Sequence, residues 1–421
     1  MMKIETIRNK NVSVRIPPSK AHTLRSLILA SLSGGVSHIR NPLLGEDQLH
    51  LIESLKRLGV SITRDDQTIT VEGSGGRFHP VETTLDCGES GVAMNFLTAL
   101  ACLSDRDVTL TGKPGLLKRP VGEIVSGVRQ MGGAVEYAET EGYPPLLARV
   151  SGLSGGEAAM NGEKTSQYFS SLAIASPCAA SDVTIVCRDD MAEKPYFDIT
   201  LDMMRRFGVK AVNRDYKRIE IKAGQRYTAC DIDVESDYSS ASYFFAAAAI
   251  AGATVRMEGL AADSVQGDRE ILAYAEAMGC AVVRDGAFLT VSGGELTAID
   301  ASFRDTPDLV PTVAVMAAFA RGTSRLRDVA HLQFKECDRI AAVRDGLGRL
   351  GVETSVDGKD LIVAGNPGGI RGAAVSSWDD HRIAMSFACA GLAVEGISID
   401  NPDCVKKSFP DFWQRFSVFH A

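Results

Sequence analysis

The chain has 421 residues, 45% of them hydrophobic and 23% charged, enough for two or three packed domains. Its net charge of −8 argues against a general nucleic-acid or anionic-membrane binder, yet leaves room for a cationic cleft that takes an anionic substrate. No run of about 18 uncharged apolar residues occurs and MMKIETIRNK has no apolar core, so neither a membrane span nor a signal peptide is expected. The nine cysteines include no C-x-x-C pair, and Cys102, Cys178 and Cys389 lie in apolar runs. That usage suits reduced thiols in a cytoplasmic protein, and neither Cys nor His shows the spacing of a zinc site.

Val12, Val14 and Ile16 alternate as a half-buried strand that Pro17 and Pro18 end. Ser19 is then the expected N-cap of a helix with Lys20 in its first turn and Arg25 just beyond. A cation at the positive end of a helix dipole costs about 0.3–1 kcal/mol, a placement that makes sense where an anion binds.

From there the chain repeats itself. Small-residue, apolar helical runs begin at Leu24, Val92, Tyr168, Ala241, Val310 and Ile383, and each leads into a short strand: SHIRN, VTLTG, VTIVC, TVRME, SRLRD, ISIDN. The equivalent strand residues Ile39, Leu110, Ile185, Met257, Leu326 and Ile399 are separated by 71, 75, 72, 69 and 73 positions. In five of these units a second helix ends on a bulky residue and glycine (Leu58-Gly59, Met131-Gly132, Phe207-Gly208, Met278-Gly279, Leu350-Gly351), the pattern of a left-handed C-cap before a hairpin. The sixth unit lacks its hairpin, and Lys3 to Ile16 is expected to supply it. The predicted fold is therefore α/β, with six β-α-β-α-β-β repeats, three per domain. One domain covers 19–230, and the other is discontinuous, 1–18 plus 231–421.

Charged groups recur in the junctions between units, where repeat folds carry function. They are Lys20 and Arg25; Lys118 and Arg119 in GKPGLLKRPVG; Thr165, Ser166 and Gln167; Asp308 in DTPDLVPT; Lys335, Glu336, Asp338 and Arg339 in FKECDR; Asp380, His381 and Arg382 in DDHR; and Lys406 and Lys407. Each alone reads as a solvated helix start. Their recurrence at equivalent places points instead to a small, highly charged anion.

Taken in order, PPSKAHTLR, GKPGLLKRPVG, TSQYF, EKPYFDIT, SSASYF, TPDLVPT, FKECDR, DDHRIAM and KKSFPDF resemble the enolpyruvyl transferase family over nearly the whole chain, nearest to its shikimate-pathway branch. The resemblance implies two inverted α/β barrels of three units each that close on their substrates. It also implies transfer of the enolpyruvyl group of phosphoenolpyruvate (PEP) to the 5-hydroxyl of shikimate 3-phosphate, with release of phosphate and no metal or cofactor. Asp308 would be the base, with Lys20 and Glu336 as proton-transfer partners. Lys20, Gly91, Arg119, Gln167, Arg339, Arg382 and Lys407 match PEP contacts. Arg25, Thr165, Ser166, Gln167, Asp308 and Lys335 match acceptor contacts. The expected partners are these small molecules alone, acting on a monomer.

Five positions depart from the family pattern. Ala21 replaces a serine, Glu89 is a mild change, Asn95 replaces an arginine beside the PEP site, and His331 replaces an asparagine. Glu193 stands where a serine usually meets the acceptor phosphate, with Arg188 as the cation expected to offset it. These departures keep open a second acceptor, an unphosphorylated hydroxylated carboxylic acid such as a hydroxybenzoate. A non-catalytic repeat scaffold is the alternative of another class.

Overall fold

Six helices of small and apolar residues carry the fold: Lys20–Leu32, Gly91–Ala101, Gln167–Ala175, Tyr238–Ala251, Val310–Ala318 and His381–Gly391. They lack the polar face of a surface helix and are accordingly buried all round; every residue from Tyr238 to Ala249 is buried, as is the whole of His381–Gly391. These features belong to a computed structural model that describes residues 1–65, 67–286 and 288–421.

Six sheets are present among the described residues, and all but one have four strands in the same order. The strand after a central helix runs parallel to a short strand before it and antiparallel to the second arm of the following hairpin. In one case Leu85 pairs with Leu110, Leu110 with Leu146, and Leu146 with Tyr137. Gly59, Gly132, Gly208, Gly279 and Gly351 all have φ between 84° and 101°, the left-handed caps expected before each hairpin. The α/β repeat architecture read from the sequence is the one observed.

The chain divides into two compact units, Met1–Pro17 with Glu235–Ala421, and Pro18–Val234. Their boundaries follow from an exchange of opening strands. Asn11–Arg15 precedes the first central helix, yet pairs parallel with Thr254–Glu258, the strand after the fourth. Conversely, Ile232–Asp233 precedes the fourth helix and pairs with Ile39–Arg40 after the first. This pairing carries the Pro18–Val234 unit a few residues past the expected end at 230. It also corrects the N-terminal hairpin. Met2–Lys3 does complete the sixth sheet, antiparallel to Ser398–Ile399, but the segment to Ile16 splits its two strands between two sheets. The expected hairpin does not form because the alternating Val12 and Val14 are buried against the fourth unit's core.

Small side chains let the central helices meet closely. In the unit formed by Met1–Pro17 and Glu235–Ala421, the hydroxyls of Ser242, Thr312 and Ser386 link three helices, with both contacts at 3.2 Å. In three of the units the hairpin's return strand passes almost against a helix end. A Cβ on Gly73 would lie 2.2 Å from the Ser33 carbonyl oxygen, on Gly293 2.1 Å from that of Ala248, and on Gly365 2.0 Å from that of Ala320. Glycine is needed at these three equivalent places by contact with backbone, which cannot step aside. Gly365→Ala is therefore expected to destabilise the protein by about 1–3 kcal/mol in urea unfolding. Gly348→Ala, in an exposed helical position where the added carbon meets nothing, should instead stabilise by about 0.5–1 kcal/mol.

Candidate active site

The charged motifs gather into one cluster in each unit, both at the N-terminal ends of central helices. In Pro18–Val234, Ser19 caps the first helix by accepting from the His22 amide, which fixes Lys20 at its first position. Lys20 is ion-paired with the buried Asp47. Arg25, one turn further, donates to Thr200 Oγ1 at 2.7 Å and to the Tyr196 carbonyl at 2.8 Å, and stacks over Phe96. Burial lowers its pKa to about 10, against the fields of Tyr196 and Glu193, so it is a cation at neutral pH.

Gly91 opens the second helix behind the Ser90 cap, and a Cβ there would lie 3.3 Å from the Arg119 guanidinium. Arg119, delivered by the short Pro114–Leu117 helix, sits 3.6 Å from Glu89. Asn95 Nδ2 donates to Gln167 Oε1 at 2.8 Å, so the residue that departs from the family pattern holds a predicted site residue in place. Asn95 Oδ1 and Arg119 Nε are buried without a hydrogen-bond partner among the described residues. Thr165 and Ser166 both turn towards Glu193. Thr165 donates to its carboxylate at 2.6 Å and Ser166 to its backbone carbonyl at 2.9 Å. No hydrogen bond or ion pair joins Arg188 to Glu193 among the described residues, and Arg188 is exposed; the field of Glu193 acts on Arg25.

In the other unit Arg339 begins the Arg339–Arg349 helix and is 1% exposed, yet three carboxylates meet it. Its Nε donates to Asp380 at 2.7 Å, Nη1 to Asp308 at 2.8 Å and Nη2 to Glu336 at 2.7 Å. Arg382 reaches the second oxygen of Asp308 and is steadied by the hydroxyls of Ser239 and Tyr243. Lys407 Nζ lies 2.9 Å from Glu336. Burial opposes ionisation of Asp308, but Arg382, Arg339 and Lys335 outweigh it and hold the carboxyl well below the usual carboxylate range, with Glu336 pulling the other way. Burial likewise disfavours the Arg339 cation, and Asp380, Glu336 and Asp308 more than restore it.

The structure thus places Lys20, Arg25, Gly91, Arg119, Thr165, Ser166 and Gln167 in one unit, and Asp308, Lys335, Glu336, Arg339, Arg382 and Lys407 in the other. Sequence reasoning gave no part to Asp47, quoted Ser239 and Tyr243 only within SSASYF, and named Asp380 without a role. Asp47 lies in an ordinary acidic first turn, GEDQLH, and nothing local distinguishes it. Asp380 caps its own helix through the Arg382 amide with one oxygen and holds Arg339 with the other.

Repeated α/β units whose central helices present paired cations and carboxylates at their N-termini define a class of enzyme built to handle small anions. A family profile described as EPSP synthase (3-phosphoshikimate 1-carboxyvinyltransferase) matches residues 4–416. Proteins named 3-phosphoshikimate 1-carboxyvinyltransferase are similar throughout. That of Methanoculleus marisnigri is 42% identical over 401 residues, 94% of each chain, and that of Vibrio cholerae is 39% identical over 410 residues, 96% of each. The EPSP synthase structure from Acinetobacter baumannii superposes with a TM-score of 0.82 at 26% identity, covering 98% of this chain and 96% of that one. The chain belongs to the EPSP synthase family, a family of transferases. Among the described residues no helix is long and apolar enough to cross a membrane.

The depressed Asp308 pKa has a signed consequence. A carboxyl whose folded pKa lies below its unfolded value stabilises the fold fully above about pH 4, and the contribution is lost as pH falls through the lower folded value. Asp308→Asn should lose about 3 kcal/mol at pH 7, where it leaves Arg339 and Arg382 short of a counter-charge. The gap to the unsubstituted protein should narrow as urea unfolding is repeated from pH 4 downward.

Proposed function

We propose that this chain transfers the enolpyruvyl group of PEP to the 5-hydroxyl of shikimate 3-phosphate. The acceptor oxygen bonds to the PEP carbon that carries the phosphate ester while the methylene carbon gains a proton. The resulting tetrahedral adduct then loses that proton as the bond to phosphate breaks, releasing inorganic phosphate and restoring the double bond. Asp308 takes the acceptor hydroxyl proton, which leaves with the departing phosphate, and Lys20 and Glu336 deliver and recover the proton on carbon. Lys20, Arg119, Arg339, Arg382 and Lys407 hold the phosphate and carboxylate of PEP, with Gly91 and Gln167 beside them. Arg25, Thr165, Ser166, Gln167, Asp308 and Lys335 hold the acceptor.

The observation that carries this reading is the Arg339–Asp308–Arg382 cluster, in a chain of this family. Without substrate the arginines keep Asp308 ionised and weakly basic. Anions bound by the same arginines would offset their field and raise the proton affinity of Asp308 when a base is needed. Asn95 Oδ1 and Arg119 Nε, buried and without a partner among the described residues, add support for polar ligand contacts at that end. Nine free cysteines, each with its pKa raised foremost by burial, support a reducing compartment, and we place the protein in the cytoplasm as a monomer.

The deciding measurement is phosphate release from PEP with a panel of acceptors. Release that requires shikimate 3-phosphate supports the assignment; release only with an unphosphorylated hydroxy acid replaces the acceptor, and release with none refutes the activity. In the same assay Arg119→Ala should raise KM for PEP at least about thirtyfold, since a charged partner of the substrate is lost. Its melting temperature should stay close to that of the parent, because among the described residues the side chain gives up only the 3.6 Å pair with Glu89.

A further inference from the structure

Glu193 is a buried acid among the groups assigned to the acceptor, and no step of the reaction uses it. It is 2% exposed and sits at φ 61°, a left-handed conformation, immediately ahead of the Lys194–Arg206 helix. Its Oε2 accepts from the Thr165 hydroxyl at 2.6 Å, and its carbonyl accepts from the Ser166 hydroxyl at 2.9 Å. Both hydroxyls that would serve an acceptor are therefore directed at Glu193. Its carboxylate also acts electrostatically on Arg25, the cation assigned to the same end. An anionic group that contacts Thr165 must draw that hydroxyl away from a carboxylate and then lie beside it. Repulsion between two unit charges at such a separation is worth more than about tenfold in affinity. A neutral hydroxyl can instead donate to Glu193 and meets no such penalty.

We propose that Glu193 is a specificity-determining residue, one that weakens the hold on a phosphate-bearing acceptor relative to its unphosphorylated counterpart. The inference rests on the acceptor-side assignment of Thr165, Ser166 and Arg25 made above. Glu193→Gln isolates the charge, because the amide keeps the length and offers an oxygen to Thr165. Titration calorimetry without PEP, using shikimate 3-phosphate and shikimate as probes, reads the preference directly. The variant should bind shikimate 3-phosphate at least about tenfold more tightly than the parent, with shikimate changed less than about twofold. Glu193→Ser should move in the same direction, and KM for the phosphorylated acceptor should fall while KM for PEP does not.

Equal changes for the two probes, or no gain for the phosphorylated one, would overturn the proposal. The unsubstituted protein provides a check that does not depend on any variant folding. Glu193 must hold its preference for shikimate 3-phosphate over shikimate below about a hundredfold, and a larger preference also overturns the idea. Turnover is read separately. A protein that binds with the expected preference but releases no phosphate would disprove the proposed reaction and leave the role of Glu193 standing.

Discussion

A guanidinium removed from water is tolerable only where carboxylates surround it, and Arg339 meets that condition three times over. Its partners come from three different junctions of the repeat: the turn before Val310–Ala318, the FKECDR loop, and the cap of His381–Gly391. One side chain therefore ties the starts of two central helices and one surface helix together. It also sets the electrostatics of Asp308, whose second oxygen is claimed by Arg382. The arrangement is a network of ion pairs in which two arginines and three carboxylates meet.

The repeat makes this possible at modest cost in sequence. Central helices rich in Ala, Ser, Gly and Thr approach closely because those residues carry little side chain. The glycines at 73, 293 and 365 let the return strands cross the far ends of these helices. Polar chemistry is thereby confined to one end of each helix, where free amides and capping side chains already favour anions.

The positions that depart from the family pattern show how differently two substitutions act. Asn95 is absorbed: it donates to Gln167 and its backbone carbonyl accepts from Ser171, so it repacks a site that an arginine would have charged. Glu193 is not neutral in this sense, since it adds a negative charge beside hydroxyls and a cation otherwise suited to an anion. Neither outcome could be read from residue type, because each depends on which side chain lies opposite.

The sequence alone determined the repeat, its period, the left-handed glycine caps and the α/β class, since these are set by hydrophobic periodicity and local backbone preference within about 70 residues. It also marked the junction motifs from PPSKAHTLR to KKSFPDF, several of whose residues lie at helix starts, as Lys20, Arg339 and Arg382 do. Only the tertiary structure decided that Asn11–Arg15 and Ile232–Asp233 change sheets, that Asp380 serves Arg339, that Asp47 pairs with Lys20, and that the field of Glu193 acts on Arg25. The reason is the same in each case. Strand exchange and buried ion pairing join residues tens to hundreds of positions apart, and the energy of such a contact depends on the partner that folding delivers, which no local pattern encodes.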